Sequence, residues 1–472
     1  MKKINPILRY FYTLISMFRS NIRDYGMYIA LVVIIIIFTI LTNGVFLGPI
    51  NFTNLLNQTA YVAVLAVGMT LVIVTRQIDL SVGFLGAYLG AYVVVAVENR
   101  DQRVWLAIVS ALIITIVVGA IKGFAIAKIK VPSFVVTLAG MFIFKGLLMI
   151  ETSNRTIPTS NEFFNKVGIG YLNTIKIGNV DILTLSMGLL LILVVVIGSL
   201  RSRKKKKSLG IPNERIEIFA TKIVAMSAVI FFLSYSLATY KGVSYLLLIT
   251  IVVVAIYYFI TTQTVLGRRI YAVGGNPEAA ELSGISVEKI IIFVFISMGI
   301  LALISGVMYA SRMQNTSPNH GPFWELYAIA AAYIGGTSAN GGFGKIVNAV
   351  IGSIVIMSLK NGMALAGVDA NIEPIVLGSV LLLAVVFDIY TRNVRGIDMV
   401  GIHYANIIYK KQLKDTLFEY KKTKTELELA RKESRNNLLE YEYKFTNVSG
   451  ELSRIKETIR ASKEDDYQSL IK

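Results

Sequence analysis

Met27 to Leu41, "MYIALVVIIIIFTIL", carries no charge, and stretches of this kind recur along the first 390 residues. They fall near 27–47, 59–75, 82–98, 104–121, 133–150, 181–200, 222–239, 243–262 and 290–310, with a short one near 326–337, then 346–366 and 373–390. No other feature narrows the fold as much. In lipid every backbone polar group must be satisfied within the protein, so helices are the natural solution for segments of this length. A hydrocarbon core about 30 Å thick takes about 20 apolar residues per helical crossing. The chain is 55% hydrophobic and 16% charged, well below the roughly one quarter charged in soluble domains. The expected fold is all-α, a polytopic transmembrane helical bundle of about ten to twelve membrane segments. The basic residues Lys2, Lys3, Arg9, Arg19 and Arg23 precede the first run, and no small-residue cleavage site follows it. It therefore reads as an uncleaved span and not a signal peptide.

Of the formal charge of +18 an excess of 15 sits on the membrane portion, because acids and bases nearly balance in residues 401–472. Basic cytoplasmic loops explain such an excess without nucleic acid, and no nucleic-acid partner is expected. With the N-terminus inside, "KGFAIAKIK", "RSRKKKKSLG" and "TVLGRRIYAVGGNPEAAELSGISVEK" all fall on the cytoplasmic side. The polar loop "ETSNRTIPTSNEFFNKVGIGYLNTIKIGN" then falls outside. The absence of cysteine excludes disulfides and thiolate metal sites, and His320 and His403 are too few for a histidine cage. Neither a metal nor a cofactor is expected.

Two places interrupt the apolar pattern. In "GMTLVIVTRQIDLSVGFLGAYLG" the residues Arg76, Gln77, Asp79 and Ser81 break a helical run. In "AIAAAYIGGTSANGGFGKIVNAV" a run too short to span is followed by a glycine-rich stretch from Gly335 to Gly344. Broken segments in matching halves point to a transport path; two polar loops at the membrane surface are the alternative. The second stretch imitates a phosphate loop, but Ala339 and Ile346 stand where glycine and a hydroxyl are required. There is likewise no nucleophile elbow and no close carboxylate pair in a span, so no catalytic residue is assigned.

"YAVGGNPEAAELSGISVEK" encodes a short water-facing helix between two spans. Asn276 suits the N-cap and Pro277 the first helical position. Glu278 and Glu281 suit the positive end of the dipole, and Gly284 the left-handed residue that ends it. After Arg392 the composition changes. A heptad-like series runs Leu413, Leu417, Tyr420, Lys424, Leu427, Arg431, Ser434, Leu438, Tyr441, Phe445, Val448, Leu452, Ile455, Ile459. It reads as a long cytoplasmic coiled-coil-like helix, with Gly450 as its weak point, able to take a helix partner or to lie on protein or lipid.

Five stretches in order, "LAVGMTLVIV…IDLSVG", "KVPSFVVTLAGMFIFKGL", "GRRIYAVGGNPEAAELSGI", "ELYAIAAAYIGGTSANGGFG" and "LKNGMALAGVDANIEPIVLGSVLLLAVVFD", span Leu65 to Asp388. Through them the chain resembles the permease subunits of ATP-binding-cassette monosaccharide importers of the ribose/xylose/galactose type, most of all the xylose branch. The resemblance implies a non-enzymatic subunit in the lipid bilayer of the cytoplasmic (inner) membrane, multi-pass, with both termini cytoplasmic. It implies ATPase subunits that hydrolyse ATP, an extracellular or periplasmic sugar-binding protein, and a second permease copy forming a homodimer. Asn276, Pro277, Glu278, Ala279, Ala280, Glu281 and Gly284 would form the coupling helix, with Ala279 and Ala280 allowing close approach of the ATPase. Asp79 and Ser81, then Gln77, Glu325 and Asn361, are candidates for the sugar path or its gate; Asp79 could instead lock helix packing. Arg76, Gln77 and Tyr327 depart from the family pattern. The expected organisation is a basic N-terminus at 1–26, a permease domain at 27–392 and a cytoplasmic tail at 393–472, which beyond about residue 400 is not part of the family pattern. Within the domain, 201–221 is a basic cytoplasmic loop and 267–289 carries the coupling helix. An ion-coupled secondary transporter and a membrane scaffold for the tail are the alternatives.

Overall fold

The computed structural model describes residues 22–172, 175–178, 180–208, 216–396, 416, 418–428, 442–451 and 453–454. The basic N-terminal residues 1–21 and part of the loop at 201–221 lie outside them. The described residues are helical almost throughout. It runs through α1 (Ile22–Leu41), α2 (Pro49–Val74), α3 (Val82–Glu98), α4 (Val104–Ala127) and α5 (Ser133–Glu151). A short α6 (Glu162–Ile169) follows, then α7 (Ile182–Ser208), α8 (Ile216–Ala238), α9 (Tyr245–Gln263), α10 (Val265–Gly275) and α11 (Pro277–Leu282). The last are α12 (Val287–Met313), α13 (Trp324–Ile334), α14 (Ile346–Leu365) and α15 (Glu373–Gly396), the latter preceded by a 3₁₀ turn at Ala370–Ile372. Two-residue strands β1 (Ile157–Pro158), β2 (Lys176–Ile177), β3 (Val180–Asp181) and β4 (Asn315–Thr316) pin links between helices; β1 pairs with β4 and β2 with β3, both antiparallel.

Among the described residues eight helices are long and apolar enough to cross a membrane, and 26–41, 82–98 and 373–383 are shorter apolar stretches. The spans near 82–98 and 133–150 lie where the hydropathy puts them. The first does not run to 47: α1 stops at Leu41 because Asn43 (φ 50°) and Gly44 (φ 86°) take left-handed backbone and turn the chain. The second begins ten residues early, at Pro49. Its polar first turns are satisfied by other helices, Asn51 pairing with Asn361 and Asn57 accepting from Ser244 Oγ, which hydropathy cannot register. Helices α10 and α6 form where loops are expected.

The centre is α2, with 94% of its apolar window buried, surrounded by α9, α12, α13 and α14. Helices α3 and α4 pack on α12. Gly306 of α12 touches α3 so closely that a Cβ there would stand 1.9 Å from the Gly86 carbonyl oxygen. Small residues of this kind replace hydrophobic force as the means of helix association in lipid. At the other extreme α7 and α8 pair with each other and are otherwise almost wholly exposed along their apolar lengths. Their exposed Leu, Ile and Val side chains suit a hydrocarbon surround.

Contacts divide the chain after Asp388, within α15. In the tail, 418–428 and 442–451 are helical, and Gly450 lies inside the second stretch and does not break it. The rings of Tyr420 and Phe445 are 5.1 Å apart. A straight helix would separate them by about 37 Å, so the two described stretches do not follow one another along a single axis. Among the described residues of the tail Thr416, Thr423 and Leu427 are buried, whereas Lys424 is exposed. The stripe therefore passes through Thr423 and not Lys424, as a cation's solvation favours. Leu413, Leu417, the heptad positions from Arg431 to Tyr441, Leu452, Ile455 and Ile459 lie outside the described residues.

Candidate functional site

The links between helices gather at two ends of the bundle. One, here the basic end, holds residues 75–81, α10, α11, the glycine-rich 335–345 stretch and the end of α7 with Arg201 and Lys204–Lys207. The opposite end holds 42–48, 99–103, 152–172, 175–178, 180–181, 239–244 and 314–323. There Glu98 accepts from Thr159 Oγ1 (2.7 Å) and from the Ser160 and Asn161 amides (2.9 and 3.0 Å), which fixes the 152–172 link.

A cavity of about 440 Å³ opens at the opposite end between α2, α12, α13, α14 and the start of α15. Its aromatic wall is Tyr61, Tyr309 and Trp324, with ring centroids 4.5 to 5.0 Å apart, and His320 edge-on to Tyr309 at 4.9 Å. Facing it are Lys360 and Glu373, 2.5 Å apart, both bonded to the Tyr327 hydroxyl; that hydroxyl donates to Glu373 Oε1 at 2.7 Å and accepts from Lys360 Nζ at 3.0 Å. Gln58, Arg312, Asn319 and Asn361 add to the polar lining. The volume lies within the usual range for small-molecule sites. Aromatic faces beside amides and charged donors can take a ring bearing many hydroxyls: C–H faces stack on the π-systems and hydroxyls exchange hydrogen bonds with the side chains.

Burial pushes the His320 imidazole down to about 4, from an ordinary value of 6.5. It lies in the link before α13. Because the folded pKa is depressed, the stability tied to the neutral ring is complete above pH 6.5 and is lost as pH falls towards 4. Unfolding in detergent at pH 7 and pH 5 should show a loss on the order of 1–2 kcal/mol that His320→Asn lacks. Equal acid slopes for the two proteins would contradict a buried neutral imidazole.

The sequence candidates divide between the two ends. Asn361 lines the cavity and exchanges two hydrogen bonds with Asn51, at 3.0 and 3.1 Å. Glu325, in the first turn of α13, is buried outside the lining; its Oε2 has no hydrogen-bond partner among the described residues, and a Cβ on Gly83 would meet it at 2.3 Å. Asp79 and Ser81 belong to the basic end and are fully buried. Lys122 of α4 donates to Asp79 Oδ2 at 2.7 Å and to Ser81 Oγ at 2.9 Å. The Ser81 amide and hydroxyl donate to Asp79 Oδ1 at 2.9 and 2.6 Å. This is a closed ion pair at the start of α3, tying α3 to α4, and neither residue lines the cavity. Gln77 is half-buried beside it, its amide nitrogen 3.3 Å from the Thr75 carbonyl oxygen, also away from the cavity.

The two breaks meet one another. The Gly342 amide donates to the Val74 carbonyl at 2.9 Å, and Arg76 Nε donates to the Gly274 carbonyl at 2.7 Å. Tyr271 Oη donates to the Gly344 carbonyl at 2.6 Å; burial pushes this phenol up to about 12, so it remains a donor. From this junction α11 projects. Asn276 Oδ1 accepts from the Ala279 amide at 3.0 Å, Pro277 opens the helix, and Gly284 (φ 80°) ends it with the Ile285 amide donating to the Ala280 carbonyl at 3.0 Å. Ala280 is 4% exposed and seats the helix on its own chain, so it does not face outward as the resemblance implies. The outward face is Glu278, Ala279, Glu281 and Leu282, the last 91% exposed.

Sequence reasoning missed Lys122, Lys360, Glu373 and Leu282. Lys122 was legible as a charge between Gly119 and Gly123 in an apolar run, but a span ended at 121 places it in a loop. Arg312, at the end of α12, also passed unnoticed.

Residues 51–385 match the family described as branched-chain amino acid transport system / permease component. The chain is 36% identical over 373 residues to a xylose transport system permease protein of Escherichia coli K12, covering 79% of this chain and 93% of that protein. It is 35% identical over 368 residues to the xylose transport system permease protein of Haemophilus influenzae, covering 78% and 96%. With the ribose import permease protein of Escherichia coli K12 the identity is 33% over 364 residues, covering 76% and 92%. No solved structure matches the chain.

Proposed function

The chain belongs to the branched-chain amino acid transport system / permease component family, and from that premise we propose that it is the membrane permease of an ATP-binding-cassette importer carrying a monosaccharide, xylose-like, into the cytoplasm. The observation that carries this reading is identity of 32 to 36% with xylose and ribose permeases over more than three quarters of the chain. The cavity's aromatic and amide lining supports a polyhydroxylated ring as cargo. Asn361 and the Tyr327–Lys360–Glu373 group are the residues assigned to its entrance. Asp79 and Ser81 are assigned to locking helices near the inner gate, Gln77 flanks them, and Glu325 supports the half-helix α13 from behind.

The basic end is assigned to the cytoplasm, where Arg and Lys near span ends are retained, and both termini with it. The ATPase pair docks there on α11. A sugar-binding protein delivers cargo at the opposite end, and a second copy of the permease completes the path. The tail at 393–472 is a cytoplasmic helical module open to a further helix partner. Leu282→Asp removes the apolar knob of α11 without touching Ala280. ATPase retention during purification should fall about tenfold or more, since a buried apolar contact in an interface centre outweighs rim charges. Full retention would place the docking face elsewhere.

Uptake of labelled xylose by cells lacking other pentose importers tests the function. Uptake that requires this chain and stops on ATP depletion is expected. Uptake that persists without ATP but stops with an ionophore would contradict it.

A further inference from the structure

We propose that Arg76 is the link through which α11 moves the two broken segments, a positioning residue for transport and not a ligand of the sugar. The inference rests on the importer reading for the source of motion, but its geometry stands alone. Arg76 follows the end of α2 with φ 63°, a left-handed backbone that L-residues other than glycine seldom adopt. That turn aims the guanidinium at the C-terminal end of α10, whose last carbonyls have no partner within the helix. Nε donates to the Gly274 carbonyl at 2.7 Å and Nη2 to that of Gly275. The next residue is Asn276, the cap of α11, so the arginine holds the hinge from which the outward helix projects.

The same residue is gripped from the other side. A Cβ on Gly341 would fall 2.4 Å from Arg76 Cγ, so the glycine-rich stretch lies directly on this side chain. One residue on, the Gly342 amide bonds the Val74 carbonyl two residues before Arg76, while Tyr271 of α10 bonds Gly344. Gly274 approaches α2 so closely that a Cβ would stand 1.8 Å from the Val74 carbonyl oxygen. The end of α2, the hinge before α11 and the 335–345 stretch thus form one knot. A guanidinium can bond two carbonyls in fixed relation, and an ammonium is a single point charge. Three residues beyond Arg76, the Asp79–Lys122 pair passes any displacement on to α3 and α4.

The test uses the full chain in nanodiscs, alone and with the ATPase subunits that co-purify. Arg76→Gly suits the left-handed backbone and removes only the side chain; Arg76→Lys keeps the charge but reaches one carbonyl. In Arg76→Gly, hydrogen exchange at the Asn276 and Gly342 amides should rise at least about tenfold, the loss of a charged pair of hydrogen bonds, with Arg76→Lys between. Exchange in α12 should not change. In proteoliposomes the maximal rate of ATP-driven xylose uptake should fall by about the same factor, with the half-saturating xylose concentration and bound ATPase unchanged. Wild-type exchange at both amides in Arg76→Gly overturns the proposal, with or without ATPase. A wild-type chain that binds no ATPase would instead overturn the importer reading, so the two failures are separable.

Discussion

Lys122→Met should remove most of the folded permease. The substitution leaves the fully buried Asp79 carboxylate without its cation while keeping the volume of the side chain. Stripping one partner from a buried ion pair costs about 3–5 kcal/mol, whereas replacing both partners together is often close to neutral. The double variant Asp79→Asn with Lys122→Met should therefore regain most of the monodisperse protein, because the introduced amide oxygen would still accept from the Ser81 amide at the start of α3. Size-exclusion yield and melting temperature in detergent read both. If the double variant also transports, Asp79 is a helix lock; if it folds at wild-type yield but transports nothing, the aspartate has a duty in the path beyond packing.

Gly274→Ala carries the second large effect. The added methyl would stand 1.8 Å from the Val74 carbonyl oxygen and 2.8 Å from the Gly342 amide nitrogen. Backbone on both sides leaves little room for relief, and overpacking costs about 1–3 kcal/mol or more. The clash falls on the last residue of α2 and leaves the rest of that span in place, so the variant should purify but lose about tenfold or more of its uptake rate, each 1.4 kcal/mol being about tenfold. Gly275→Ala beside it is the control, since nothing lies within 4 Å of a Cβ there. Equal uptake by the two variants would show that the junction under α11 does not limit transport.

Which parts of this account the sequence made legible follows from what each signal measures. Long apolar runs registered the spans because lipid selects them residue by residue. The capped helix was legible because Asn276, Pro277 and Gly284 act within six or eight residues of one another. Contacts between distant residues left weaker marks. Nothing local says that Asn51 meets Asn361, so α2 was begun ten residues late. The breaks at 75–81 and 335–345 were visible as polar interruptions, but that they bond each other and α10 is tertiary information. Asp79 stands out in the sequence as a carboxylate at membrane depth, but nothing local marks Lys122 as the cation that meets it. In the tail Tyr420, Leu427, Phe445 and Val448 of the heptad series are buried or half-buried, and one described position departs, Thr423 being buried where the series has Lys424.

Mass spectrometry of what accompanies this chain, purified from its native membrane in mild detergent, tests the central claim most directly. The account predicts an ATP-binding-cassette ATPase in stoichiometric amount, lost from Leu282→Asp. A folded chain that brings no ATPase, even after crosslinking in the membrane, would contradict it.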